Sequence, residues 1–205
     1  MSAEASPQAV IVAGPNGAGK STLAPRLLAQ ELGITIYVNA DLIAQGLAGF
    51  DPASAAIRAG RIMLERIEEL RRDRVSFAVE STISGISLNA FAQRLKSAGY
   101  LTSLLYLWLP DPDLAVDRVR ARVALGGHDI PETDVRRRFY RSVTNFEQVY
   151  RRTVGFWRVY HAVTPPNESA PRIIAYGMGS RVVRIVDADA WDALQQQASD
   201  RGESR

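Results

Sequence analysis

Gly14-Pro15-Asn16-Gly17-Ala18-Gly19-Lys20-Ser21 carries the residue types and spacing, G-x-x-x-x-G-K-[ST], that cradle the phosphates of a nucleotide. Its glycines permit positive φ and close backbone approach, so that successive N–H groups can point inward at phosphate oxygens. The expected nucleotide-binding segment is therefore Gly14, Pro15, Asn16, Gly17, Ala18, Gly19, Lys20, Ser21 and Thr22. Lys20 is expected to reach the β- and γ-phosphates of ATP, and the Ser21 hydroxyl to ligate Mg²⁺. A glycine-rich turn without a ligand is the competing reading. It is disfavoured by the context, because the apolar run 9–13 reads as a buried strand and 22–30 as a helix, with Pro25 in its first turn or so.

Those flanking elements begin an alternation that runs through the chain. Residues 34–38 read as a second strand, closed by Asn39-Ala40-Asp41. Asp51 then suits an N-cap, with Pro52 opening a helix that runs to about residue 73. A third strand, 75–79, ends in Glu80-Ser81-Thr82; a helix over 87–97 is closed by Gly99; and 101–109 is a continuous apolar run suited to a central strand. An arginine-rich helix over 114–125, the loop Gly126-Gly127-His128-Asp129-Ile130-Pro131 and a helix over 132–150 follow. Beyond them come an amphipathic segment over 153–163, a loop at 164–167, short strands at 172–176 and 182–186, and a last helix over 190–198. The polar ends, 1–7 and 199–205, are expected to be disordered. Alternating strands and helices predict a single three-layer α/β/α domain, a P-loop NTPase core with a mainly parallel sheet and a helical, arginine-rich lid over about 114–150. The phosphate loop, Asp41, Glu80-Ser81-Thr82 and Pro110-Asp111 each follow a strand, so all should open onto one edge of the sheet.

Asp41 stands where a phosphoryl acceptor would lie opposite the γ-phosphate, and a carboxylate there could accept the hydroxyl proton. An N-cap for a helix beginning at Leu42 would explain the same residue. Glu80, followed by two hydroxyls, suits either substrate hydrogen bonding or Mg²⁺ coordination, although the run of apolar residues ending in Asp that marks a metal carboxylate is missing. Arg118 and Arg122 lie four apart on one helix face, and Arg136, Arg137, Arg138 and Arg141 lie beyond the Gly-Gly loop. Two such helices look like a lid that closes on ATP and brings guanidiniums to the transferring phosphate; solvated surface is the alternative for any one of them. His128 sits in that loop as a possible substrate contact, and His161 reads as surface or satisfied core.

Composition narrows the rest. A 46% hydrophobic, 23% charged chain of 205 residues is an ordinary globular protein, and without cysteine it has neither disulfides nor thiolate metal sites. No apolar run reaches membrane-spanning length and no signal peptide precedes the first strand, so a cytoplasmic protein is expected. Lys20 and Lys96 are the only lysines, so arginine carries nearly all the basic charge. The net charge of +3 decides nothing about nucleic acid, and neither a nucleic-acid nor a membrane partner is expected.

The chain resembles the zeta-toxin family of small P-loop kinases, including a branch often labelled predicted ABC-type ATPase. The resemblance lies in GPNGAGKST (14–22), VNAD (38–41), EST (80–82), RVRARVALGGHDIP (118–131) and RRRFYRSV (136–143), in the family's order. It implies an ATP- and Mg²⁺-dependent kinase. Lys20, Asp41, Arg122 and Arg138 would be catalytic, Asp41 as the base; Arg118 would join the loop in holding ATP. Asp41, Glu80, Thr82 and His128 would hold the acceptor. Characterised members phosphorylate the sugar 3′-hydroxyl of UDP-N-acetylglucosamine and are held inactive by a small antitoxin, so those are the implied acceptor and protein partner. Two other classes compete. A motor or switch ATPase would need a hydrophobic run ending in Asp-Glu or an LSGGQ-like signature, and neither is present. A non-catalytic nucleotide-binding toxin module, controlled by a partner protein, is the other.

Overall fold

The computed structural model describes residues 6–49, 51–127, 129–163 and 171–200. Seven strands form one sheet: β1 (Gln8–Ala13), β2 (Tyr37–Asn39), β3 (Phe77–Ser81), β4 (Leu101–Trp108), β5 (Phe156–His161), β6 (Ile173–Met178) and β7 (Arg181–Ile185), in the order β2-β3-β1-β4-β5-β6-β7. The first five run parallel, whereas β6 and β7 add on antiparallel at one edge. The long apolar strands β1 and β4 lie side by side in the middle, where both faces of a strand must be covered.

The helices are α1 (Lys20–Arg26), α2 (Ala40–Ala48), α3 (Ala56–Arg72), α4 (Ser87–Ser97), α5 (Pro112–Ala124), α6 (Glu132–Asn145), the single turn α7 (Arg151–Thr153) and α8 (Ala188–Ser199). Two apolar layers follow from strand alternation. On one face Val10, Val12, Leu105 and Leu107 meet residues of α1 and α5. On the other, Ile11, Val79, Leu104 and Tyr106 meet α3, α4 and α8. The α6 helix spans both, with Val135 and Phe139 in the first layer and Val143 in the second. The architecture is thus the α/β sandwich with a mainly parallel sheet that the alternation predicts.

Several boundaries differ from the sequence reading, for identifiable reasons. Pro25 falls at the sixth residue of α1 rather than in its first turn, and the chain widens directly afterwards into a π-type turn, Leu27–Glu31, in place of a helix to residue 30. A proline there removes an N–H from the helical ladder and crowds the preceding turn. β2 is displaced toward its motif end, because its pairing with β3 begins only at Tyr37 opposite Ala78. The helix expected to reach residue 150 gives way after Asn145 to a second π-type turn, Phe146–Tyr150. The amphipathic segment over 153–163 is largely a strand: Trp157 and Val159 are fully buried while Phe156 and Arg158 are half-exposed, the period of two that a sheet requires. The predicted loop at 164–167 lies outside the described residues. No helix among the described residues is long and apolar enough to cross a membrane.

Candidate active site

The phosphate loop joins β1 to α1 at the carboxyl edge of the sheet, and its backbone has a shape that only glycine fits. Gly14 has φ 147°, and a Cβ there would lie 2.5 Å from the Leu107 carbonyl oxygen of the neighbouring β4. Gly17, at φ 77°, would bring a Cβ to 2.8 Å from the Ala115 carbonyl on α5. Neither backbone oxygen can retreat without disturbing its element. Gly14→Ala is therefore expected to cost about 2–3 kcal/mol in strain and overpacking. In thermal unfolding that is a fall in Tm of roughly 4–12 °C.

Lys20 opens α1 and is folded back under the loop. Its buried Nζ donates to the carbonyls of Gly14 at 2.9 Å and Pro15 at 3.0 Å. Burial holds its pKa below the ordinary 10.5; the charges of Glu80 and Asp41 act in the opposite sense, and Arg122 adds to the lowering. Those three side chains therefore share the electrostatic field of Lys20. Asn16 is buried in the same loop, and its Oδ1 lacks a partner. An orphaned buried amide of this kind is one that a ligand or solvent would satisfy.

Ser21, the next residue, turns its hydroxyl to Glu80 at the end of β3, donating at 2.9 Å to Oε2 and 3.2 Å to Oε1. Tyr37 on β2 donates its hydroxyl to the same Oε2. Asn39 supplies the hinge between strand and helix: its Oδ1 accepts from the backbone N–H of Asp41 at 2.7 Å and of Leu42 at 3.4 Å, which caps α2. The cap is thus Asn39 and not Asp41, whose exposed carboxylate lies in the first turn without a capping role. The simplest structural explanation of that aspartate is removed.

Thr82 follows Glu80 into a tight turn, where its hydroxyl pairs with that of Ser84 at 2.9 Å. The turn is built against ordinary preference, since Ile83, buried and β-branched, sits at φ 46°. Surrounding groups hold it there. The Ser81 hydroxyl accepts from the Ile83 N–H at 3.0 Å, Asn145 of α6 donates to the Ile83 carbonyl at 2.7 Å, and the Tyr150 hydroxyl donates to the Gly85 carbonyl at 2.8 Å.

The arginines divide. Arg118 binds backbone, donating from Nη1 to the carbonyls of Gly17 at 3.2 Å and Ala162 at 2.9 Å, and so fastens α5 to the phosphate loop and to the end of β5. Arg122, one turn on, lies within the field of Lys20. Arg120 and Arg136 are engaged with Glu132 and with Asp117 and Asp113 on the outside of the hairpin. Arg137 pairs with Asp134 at 2.8 Å; Arg138 reaches the same Asp134 at 3.7 Å, and nothing among the described residues joins it to the loop. His128 lies outside the described residues. His161 is half-buried and satisfied: its Nε2 bonds Asp187 at 2.9 Å and its ring packs edge-on with Trp108. That bond, followed by the one from the Ala190 N–H, holds the Asp187 carboxyl below the usual range.

Three contributors escaped the sequence reading: Tyr37, Asn39 as the cap, and Asn145. Tyr37 had a signal, since it stands two residues before Asn39 on one strand and so shares its face. Asn145 had none; its partner lies 62 residues away.

The zeta toxin family model matches residues 1–169. An adenylate kinase from Thermus thermophilus is 32% identical over 182 residues, covering 82% of this chain and 96% of that protein. Among solved structures, AvrRxo1-ORF1 in complex with AvrRxo1-ORF2 and ATP superposes with a TM-score of 0.66 at 16% identity, over 93% of this chain. This chain spans only 64% of the length of that one. The PezAT toxin-antitoxin system of Streptococcus pneumoniae superposes with a TM-score of 0.62 at 13% identity, over 99% of this chain and 90% of that chain. At such identities the superpositions establish the fold, while the family match covers most of the sequence: this chain belongs to the zeta toxin family.

Proposed function

We propose that the chain is an ATP-dependent phosphotransferase of zeta-toxin type, moving the γ-phosphate of ATP to a hydroxyl of a small molecule, a sugar nucleotide such as UDP-N-acetylglucosamine. The observation that carries this reading is Asp41, a carboxylate freed from capping duty whose charge is felt by the buried lysine of the glycine-rich loop. In the reaction the acceptor oxygen attacks the γ-phosphorus, its O–H proton passes to the Asp41 carboxylate, and the bond from the γ-phosphorus to the bridging oxygen breaks to release ADP. Lys20 and the loop N–H groups neutralise charge on the β- and γ-oxygens, and Arg122 is the lid arginine best supported for the transferring group. Arg118 acts by holding the loop. Arg138 would have to exchange Asp134 for phosphate when the α5–α6 hairpin closes. Glu80 and Thr82 at the end of β3, with His128, would line the acceptor side.

Mg²⁺ fits the donors present. The Ser21 hydroxyl backed by Glu80 offers hard oxygen, the donor type that Mg²⁺ takes when it is carried mainly by nucleotide phosphates. When bound, it would neutralise the β- and γ-phosphate oxygens.

The adenylate kinase relative suggests a second acceptor class, a nucleoside monophosphate. Asp41 argues against it. A phosphate acceptor is already ionised and needs no base, and a carboxylate in front of it would repel it. A small antitoxin partner is supported by family membership and by the toxin-antitoxin system among the structural neighbours. The deciding experiment is an acceptor screen with γ-labelled ATP and Mg²⁺, followed by mass spectrometry. Label on a sugar-nucleotide hydroxyl is the expected result; label on nucleoside monophosphates alone, or on no acceptor, would overturn it.

A further inference from the structure

Tyr37 belongs to no nucleotide-binding motif, yet its hydroxyl ends at the carboxylate that grips Ser21. In the parallel β2–β3 register Tyr37 stands opposite Ala78 and Asn39 opposite Glu80. The tyrosine therefore leans along the strand toward the sheet's carboxyl edge to reach Glu80. Asn39, on the same face of β2, fixes the first turn of α2. The result is a continuous hydrogen-bonded chain from Tyr37 through Glu80 to Ser21, crossing β2, β3 and the start of α1. Burial pushes the Tyr37 pKa up, and the negative charge of Glu80 pushes it further, so the phenol remains a donor.

The chain settles a competition for Glu80. Of the charges that favour protonated Lys20, Glu80 is the strongest. Yet among the described residues Lys20 forms no ion pair with it, and its bonds go to Gly14 and Pro15 instead. Glu80 is held away from the lysine by two hydroxyls, those of Tyr37 and Ser21. A serine hydroxyl has one proton and two lone pairs. With its proton committed to Glu80, the lone pairs of Ser21 are left for a cation. We propose that Tyr37 is a positioning residue for the metal of this site: it clamps Glu80 against the Ser21 hydroxyl and thereby commits Glu80 to a divalent cation rather than to the acceptor. This rests on the ATP-binding reading above and replaces one part of it: Glu80 serves the metal, and the acceptor contact given to it there falls to its neighbour Thr82.

The test needs no acceptor. Affinity for a fluorescent methylanthraniloyl ATP is measured in EDTA and across a Mg²⁺ titration, for wild type, Tyr37→Phe and Glu80→Gln. Supporting groups behind a metal ligand typically govern about 10–100-fold in metal affinity. Tyr37→Phe keeps the ring and its packing. It is expected to bind nucleotide like wild type in EDTA but to need roughly tenfold more Mg²⁺ for half of the metal-induced tightening. Glu80→Gln is expected to shift the titration at least as far. The same Mg²⁺ dependence in Tyr37→Phe as in wild type overturns the inference, and so does an equal loss with and without Mg²⁺, which would mean a packing role. Failure of the wild type to bind ATP at all removes the phosphotransferase reading and this inference together, whereas the other two outcomes remove only the inference.

Discussion

Asp41→Asn is expected to lower phosphoryl transfer by about 10²–10⁴-fold, the range for loss of a positioned general base. The substitution isolates the chemistry well. The α2 helix is capped by the Asn39 side chain, which bonds the backbone N–H of residue 41 and not its carboxylate. Exchanging that exposed carboxylate for a carboxamide leaves both the cap and the apolar packing in place. Circular dichroism should be unchanged, thermal unfolding should fall only slightly through loss of a charge that favours protonated Lys20 and the first turn of α2, and ATP should still bind, because Lys20 and the loop amides remain. The measurement is single-turnover transfer from γ-labelled ATP once an acceptor is known, with nucleotide binding run in parallel. Turnover retained within a factor of ten would exclude Asp41 as the base and revive the binding-module alternative. In a cellular assay the same variant separates the classes again: growth arrest that survives Asp41→Asn belongs to a toxin that works by binding alone.

Lys20→Met should have an effect of similar size by a different route. Loss of one preorganised donor to developing charge commonly costs about 10²–10³ in kcat, and on the proposed reading the lost donor would also bring charge to the ATP phosphates. Nucleotide affinity is expected to fall along with turnover, unlike in Asp41→Asn. The consequences for stability can be read from the burial. Because Lys20 has its pKa lowered from 10.5 by burial, the folded chain binds that proton more weakly than the unfolded chain. The destabilisation is complete at pH values below the folded pKa, and it is relieved as pH climbs from there toward 10.5. Wild type should therefore gain stability from this group over that alkaline window, and Lys20→Met should not gain it. Urea unfolding of both proteins at neutral and alkaline pH makes the comparison. An identical alkaline trend in the two proteins would mean that the lysine is solvated rather than enclosed by its loop. Bound ATP should abolish the difference by stabilising the ammonium form.

Much of this was legible in the sequence because it is local. Eight consecutive residues, 14–21, specify the phosphate loop, since glycine tolerance of positive φ and the lysine–serine pair are properties of the chain itself. The apolar run of β4 and the alternation of strands and helices specify the sheet, since burial on both faces of a strand demands them. The α4 helix matches its sequence bounds residue for residue, with Gly99 closing it.

The local signals failed where two of them competed or where the partner was distant. Pro25 and the change to π-type turns turned helices expected to be continuous into broken ones. Asn39 and Asp41 both qualify as caps by type. Only the backbone path out of β2 decided for Asn39, and that choice is what frees Asp41. In the α5–α6 hairpin, arginine type and helical spacing could not distinguish Arg118, tied to backbone at Gly17 and Ala162, from Arg120 and Arg136, tied to carboxylates outside.

The sequence alone determined a glycine-rich loop of P-loop type on a mainly parallel sheet, because the loop and the strand periodicity need only neighbours along the chain. Tertiary structure decided how the charges are shared: Glu80 drawn to Ser21 and Tyr37, Lys20 to its own loop, Arg138 to Asp134, and the strained turn at Ile83 pinned by Asn145. A side chain with several possible partners takes the one that the packing of distant elements brings within hydrogen-bonding reach, and that distance is not written in any local stretch of residues.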